Sequence, residues 1–206
     1  MKFKSTLLAT ALLGAVTTAQ AGTTANVYVV NDYLFRGISQ TNDGAAIQGG
    51  LDYSHDSGFY AGTWMSNMFD GGGIENDLYM GFTGEAGSVA FDVGIIRYTY
   101  PSLTDWDATE IYAGADVGPV GVKYWYETNG DWSYLEANGS FDMGNDVSLG
   151  LHIGSADFNG GGDYIDYNIS IGKSWKELDW SLMLSNTDIS GDDWTMVISA
   201  GYTFDL

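Results

Sequence analysis

From about residue 25 to the end of the chain, apolar and polar side chains alternate with a period of two, the pattern of a strand with unlike faces. The last segment shows it best: Trp194, Met196, Ile198, Ala200, Tyr202, Phe204 and Leu206 share one face. Thr195, Ser199, Gly201 and Thr203 share the other, where Val197 is the single apolar intruder. Ile165, Tyr167, Ile169 and Ile171 likewise oppose Asp166, Asn168, Ser170 and Gly172, and Leu178, Trp180, Leu182 and Leu184 oppose Asp179, Ser181, Met183 and Ser185. A helical period nowhere holds beyond about two turns. The alternation predicts twelve strands, at 25–36, 45–54, 57–66, 76–85, 88–98, 108–117, 119–127, 133–142, 146–154, 163–173, 178–186 and 194–204.

Each segment is about the 9–11 residues that a tilted strand needs to cross a bilayer. An even number of antiparallel strands can close on itself with both termini at one end. The connections alternate in length, as in "ISQTNDG" then "HDSG", and "YPSLTDWD" then "GP". That alternation is the signature of external loops and periplasmic turns. The expected fold is all-β: a transmembrane antiparallel up-and-down β-barrel of twelve strands, with short periplasmic turns and longer external loops. A soluble exported sandwich or lipocalin-like barrel also gives alternating strands. It would present a surface rich in Lys and Glu, whereas the polar face here is rich in glycine and acids.

The start of the chain bears on compartment. Lys2 and Lys4 precede the apolar run Leu7 to Val16, and Ala19-Gln20-Ala21 completes the pattern of a cleaved signal peptide, residues 1–21. A single outer-membrane barrel domain, 22–206, is expected to follow. The chain has no cysteine, which excludes a lipid-anchored lipoprotein and any disulfide. Without Lys2 and Lys4, five of the seven basic residues remain against 27 acidic ones. Nucleic acid is excluded as a partner, because neutralising phosphates needs clustered Lys and Arg. With 14 Tyr, 9 Phe and 7 Trp, the chain is too aromatic for a disordered acidic polymer.

Given a barrel, parity assigns side chains to lipid or lumen. Asp52, Asp77, Glu85, Asp92, Glu110, Asp116, Glu127, Glu136, Asp142, Asp166 and Asp179 point inward, together with Lys123 and, if the first strand is regular, Arg36. The lumen and constriction candidates are Arg36, Asp52, Asp92, Glu110, Asp116, Lys123, Glu127, Glu136, Asp166 and Asp179, with Asp52 the expected partner of Arg36. Acid-lined walls of low dielectric concentrate cations. Tyr53, Phe59, Tyr98, Tyr124, Tyr126, Trp180, Trp194, Tyr202 and Phe204 lie near strand ends, where interfacial girdles belong. Gly49 and Gly50 sit mid-strand, one on each face, where they permit curvature or a close approach.

The loops are acidic too: Asp70 and Glu75, Asp105 and Asp107, Asp157 and Asp163, Asp188, Asp192 and Asp193. "DFNGGGD" offers Asp157, Asn159 and Asp163 as weak calcium candidates, but the twelfth position of an EF-hand loop is Asn168, not Glu. No metal site and no cofactor is expected. His55 and His152 are the only histidines, and nothing pairs either with a nucleophile and an orienting third group, so no enzyme is expected.

The stretch Asn31 to Asn67, "NDYLFRGISQTNDGAAIQGGLDYSHDSGFYAGTWMSN", resembles the start of the TorF family of porins, also catalogued as a Gcw-type conserved hypothetical family of bacterial outer-membrane proteins. The shared elements are Y-x-F-R-G-x-S-Q-T, Q-G-G-x-D-Y-x-H, S-G-F-Y-x-G-x-W and S-N. Ala45-Ala46 stands where the family often has Pro-Ala. The resemblance implies an outer-membrane location and a pore. The expected function is therefore passive diffusion of ions or small solutes, with cations preferred. The expected partners are outer-membrane lipids, lipopolysaccharide, the permeating solutes, and the barrel assembly machinery during biogenesis. Two other readings stay open: a non-conducting barrel whose acidic loops bind a partner or divalent cations, and a soluble periplasmic ligand-binding barrel.

Overall fold

A computed structural model describes residues 21–69 and 72–206. The expected signal peptide, apart from Ala21, and loop residue Asp70 lie outside the described residues. The strands run in chain order β1 (Gly22–Val30), β2 (Leu34–Phe35), β3 (Ile38–Ser39), β4 (Ala46–Ser54), β5 (Phe59–Asn67), β6 (Ile74–Ala86), β7 (Val89–Thr99), β8 (Ala108–Val117), β9 (Val120–Glu127), β10 (Trp132–Gly144), β11 (Val147–Phe158), β12 (Tyr164–Trp175), β13 (Leu178–Thr187) and β14 (Thr195–Asp205). All but β2 and β3 form one closed antiparallel barrel of twelve strands, each paired with its neighbours in sequence order. The seam is β1 against β14, in the register Val29↔Ala200 and Val27↔Tyr202. Closure leaves no unpaired edge, which is how a β fold satisfies its backbone without solvent.

The outward face is the apolar one. Ile47, Leu78, Met80, Ile153, Ile171 and Met196 are exposed, while Asp77, Glu110 and Asp166 on the opposite parity are 0%, 0% and 1% exposed. Of the girdle candidates, Tyr53, Phe59, Tyr124, Tyr126, Trp180, Trp194 and Phe204 lie exposed near strand ends, and the Tyr202 ring packs edge-on against Phe204. Tyr98 does not belong with them. It shares the parity of Asp92 and is 4% exposed inside the barrel, its hydroxyl donating to Glu110.

The first strand is shorter than its alternation suggested, ending at Val30 rather than residue 36. Asn31 ends it by bridging to β14: its Nδ2 donates to the Met196 carbonyl and its Oδ1 accepts from the Ile198 amide. The chain then turns into the barrel. Asp32 Oδ1 accepts from the Ser39 and Thr41 hydroxyls, tying the two arms of the connection together. Between them β2 and β3 pair Phe35 with Ile38 around Arg36 (φ 49°) and Gly37 (φ 82°). Two successive positive φ values mark a type I′ turn, whose twist suits a two-residue hairpin. At Gly37 a β-carbon would meet Asp166 Cβ and Thr187 Cγ2, both at 2.8 Å, so the tip is wedged against β12 and β13.

The apolar intruders on the polar face explain where the hairpin lands. Val197 and Met183 are buried with Val30, Ala46 and Met68 around Tyr33 and Leu34 of the hairpin. On the other side Phe35 packs against a second cluster that includes Ile96, Tyr98, Trp125 and Tyr134.

Candidate functional site

The site is the lumen at the end that carries the long connections 31–45, 68–73, 100–107, 159–163 and 188–194. Alternate positions of β6 to β10 and β12 aim carboxylates and aromatic rings at one another there, and the hairpin fills the space between them. Arg36 is at its centre. Its Nη1 and Nη2 donate to Glu110 Oε1 and Oε2 at 2.8 and 2.9 Å, a fork matched to a carboxylate. The guanidinium lies 4.2 Å from the Tyr134 ring centroid, 4.7 Å from Phe35 and 5.7 Å from Trp125, distances at which aromatic faces attract a cation. Burial works against its charge, but Glu110 overrides this and holds Arg36 above its already high ordinary pKa. The Tyr164 hydroxyl donates to the Arg36 carbonyl, fixing the turn from the far wall.

Glu110 is correspondingly saturated. It also accepts from Tyr98 Oη at 2.8 Å and from Trp132 Nε1 at 2.6 Å. Arg36 therefore pairs with Glu110 on β8 and not with Asp52 on β4. The inward turn, absent from a regular first strand, carries it past its neighbour and across the lumen. Asp52 instead accepts from the Tyr79 hydroxyl and from Asn26 Nδ2 at 3.4 Å.

The second cation of the lumen wall adjoins this centre through the Trp125 ring, whose centroid is 5.3 Å from Lys123 Nζ. Lys123 Nζ lies 2.7 Å from Asp92 Oδ2, whose other oxygen accepts from Tyr60 Oη at 2.6 Å. Glu136 accepts from Trp125 Nε1, and Asp166 accepts from Tyr134 Oη and approaches His152 Nε2 at 2.9 Å. Glu127 receives the Asn129 and Asp131 amides, bracing the connection at 128–131. Asp116 and Asp179 keep inward parity but stand near the short-turn end, away from the rest. Asp179 accepts there from Ser174 Oγ.

Two more carboxylates belong to the site: Glu75, which the sequence left in a loop, and Asp77, which parity already pointed inward. Glu75, read as a loop acid, is the second residue of β6, 1% exposed, and accepts from Tyr33 Oη at 3.3 Å. Asp77, two residues on, is wholly buried, and neither carboxylate oxygen has a hydrogen-bond partner among the described residues. The tyrosine and tryptophan donors were missed as lumen groups. Their parity gives the signal: Tyr112 lies two residues from Glu110, Trp125 two from Lys123 and Tyr134 two from Glu136. Several lie flat over glycines, as Tyr79 does over Gly62 and Tyr112 over Gly94.

The weak calcium candidates Asp157, Asn159 and Asp163 lie at and just after the end of β11. Asp163 Oδ1 accepts from the Phe158 amide, while Asp157 and Asn159 are exposed. Among the described residues, no group of three or more His, Cys, Asp or Glu side chains is placed to hold a metal.

A family model described as a bacterial protein of unknown function, Gcw_chp, matches residues 15–204. The chain belongs to the Gcw_chp family. No curated protein sequence matches this Gcw_chp chain. Among solved structures it is similar to the KdgM porin, with a TM-score of 0.66 at 12% identity over 88% of this chain and 99% of that one. The KdgM porin in complex with disordered oligogalacturonate gives the same TM-score at 10% identity. The NanC porin follows at 0.57, with 8% identity over 90% of this chain and 100% of that one. At such identities the likeness is one of fold, the closed twelve-stranded barrel.

Proposed function

We propose that this protein is an outer-membrane channel through which small cationic solutes diffuse passively. Three things support the membrane setting: an exposed apolar outer face with aromatic residues near the strand ends, long and short connections at opposite ends, and a fold shared with porins. The outer face then meets lipid and lipopolysaccharide, and the barrel assembly machinery inserts the chain after export.

One observation carries the cation preference. Both lumen cations, Arg36 and Lys123, are already paired with Glu110 and Asp92. Asp52, Glu127, Glu136 and Asp166 remain, with His152 beside the last two as the one further basic group among the described residues of the lumen. Such a wall attracts cations and repels anions. The oligogalacturonate bound by the KdgM porin is a polyanion, which this lumen disfavours.

Recording the purified protein in planar bilayers under a salt gradient tests the reading. Discrete conductance with a cation-selective reversal potential is expected, and the selectivity weakens as ionic strength rises. Anion selectivity would sink the cationic version. Silence would favour the second reading, a non-conducting barrel, which the hairpin packed into the lumen also supports. Recovery in the soluble periplasm without detergent would remove the membrane setting altogether.

A further inference from the structure

The surroundings of Arg36 form a receptor for a guanidinium group. A carboxylate presents both oxygens in the plane of the fork, Tyr134 and Trp125 supply faces, and Trp132 fixes the carboxylate from behind. Its present occupant is tethered to it by the hairpin.

We propose that the same receptor takes the guanidinium of a free solute, which displaces Arg36 from Glu110 and releases the hairpin. The inference rests on reading the barrel as a cation channel, and it names the solute class and the way the solute is admitted.

Two independent observations carry it. First, a cavity adjoins the receptor at the long-loop end, with Trp132 between the two. It has a volume of about 350 Å³ and is lined by Tyr100, Trp106, Trp132, Asp105, Glu127 and Asp131. Its aromatic and acidic lining suits an organic cation, and Trp132 serves as both cavity wall and hydrogen-bond donor to Glu110. Second, the closed hairpin leaves the molecule incompletely satisfied. Asp77 lies in the electrostatic reach of Glu75 and Glu110, buried and with both oxygens unpartnered. A buried polar group left without a hydrogen bond is costly. The Tyr33 hydroxyl of the hairpin binds Glu75, two residues from Asp77, so withdrawal of the hairpin opens this pair of acids to water and to the incoming solute.

Exchange of one guanidinium for another on Glu110 is close to an even trade of hydrogen bonds. Occupancy then follows concentration, and the tethered arginine reduces the apparent affinity to the intrinsic one multiplied by the fraction of time the receptor stands empty.

The test uses agmatine, which carries a guanidinium at one end and an ammonium at the other, with the full barrel in detergent micelles. Binding is read by calorimetry and by the fluorescence of Trp125 and Trp132, not by current. Arg36→Ala is expected to bind agmatine about tenfold or more tighter than the wild type, and Glu110→Gln in that background to abolish the gain. Arg36→Ala with unchanged affinity overturns the proposal. If Glu110→Gln fails to fold, putrescine decides: equal binding of this bis-ammonium and agmatine by Arg36→Ala removes the guanidinium specificity. A barrel silent in bilayers that still gains agmatine affinity in Arg36→Ala upholds the receptor and rejects the channel, so the two readings fail separately.

Discussion

The two halves of the lumen are built by the same strands and differ in almost everything else. At the long-loop end the inward side chains are large and buried: Ile96, Tyr98, Glu110, Trp125 and Tyr134 close around Arg36. Toward the short-turn end many are small and partly exposed, among them Asn26, Gly50, Ser148, Gly150, Asn168 and Ser170, with Tyr60 a large and buried exception. The ion pairs follow suit. Arg36 and Glu110 are 10% and 0% exposed, joined by a two-pronged contact brought in by a loop. Lys123 and Asp92 are 18% and 13% exposed and join one strand to another along the wall. The difference teaches that the constriction is an added part. The barrel supplies an acidic tube, and a type I′ hairpin from the first connection narrows one end of it.

If so, removing the part should change transport more than it changes the tube. Replacing residues 33–40 by a short Gly-Ser linker is expected to raise single-channel conductance about threefold or more, with heat-modifiable migration of the folded barrel retained. Unchanged conductance would mean that the hairpin occludes nothing. The next effect is on stability. Glu110→Gln strands a buried arginine and is expected to cost about 3–5 kcal/mol, measured by urea unfolding in lipid vesicles. Asp92→Asn should cost less, about 1–3 kcal/mol, because the amide oxygen still accepts from Tyr60 while Lys123 loses only its charge partner. Equal losses at the two sites would erase the distinction between plug and wall. The smallest expected effect is that of Gly62→Ala. Its β-carbon displaces the Tyr79 ring from the wall and loosens the bond to Asp52, for about 0.5–1.5 kcal/mol and a modest fall in conductance.

The barrel was legible because two signals agree along the whole chain, a period of two within strands and alternating connection length between them. Inward parity likewise identified Glu110, Asp92, Lys123 and Asp166 as lumen groups. The hairpin was not legible for a related reason: alternation ran on through Asn31 to Arg36, and periodicity cannot see a strand stop and turn inward. The Arg36-Gly37 step was the local clue to a turn, and Val197 and Met183 were the distant one. Apolar side chains on a polar face need something apolar to cover them, and Tyr33 and Leu34 do so. The partner of Arg36 was beyond reach. Glu110 lies 74 residues away in sequence, and no strand pairing connects the two.

That separation has a consequence for how the molecule is made. The contacts that hold the hairpin come from β6, β8 and β12, and the bond from Tyr164 to the Arg36 carbonyl spans 128 residues. Ordering so distant a set of partners must await their own assembly. Strand β1 cannot lock its following turn in place until β14 has closed the circle beside it, through Asn31. The narrowing is therefore expected to be the last part to order, so that a newly closed barrel has for a moment a wider bore than it will have again.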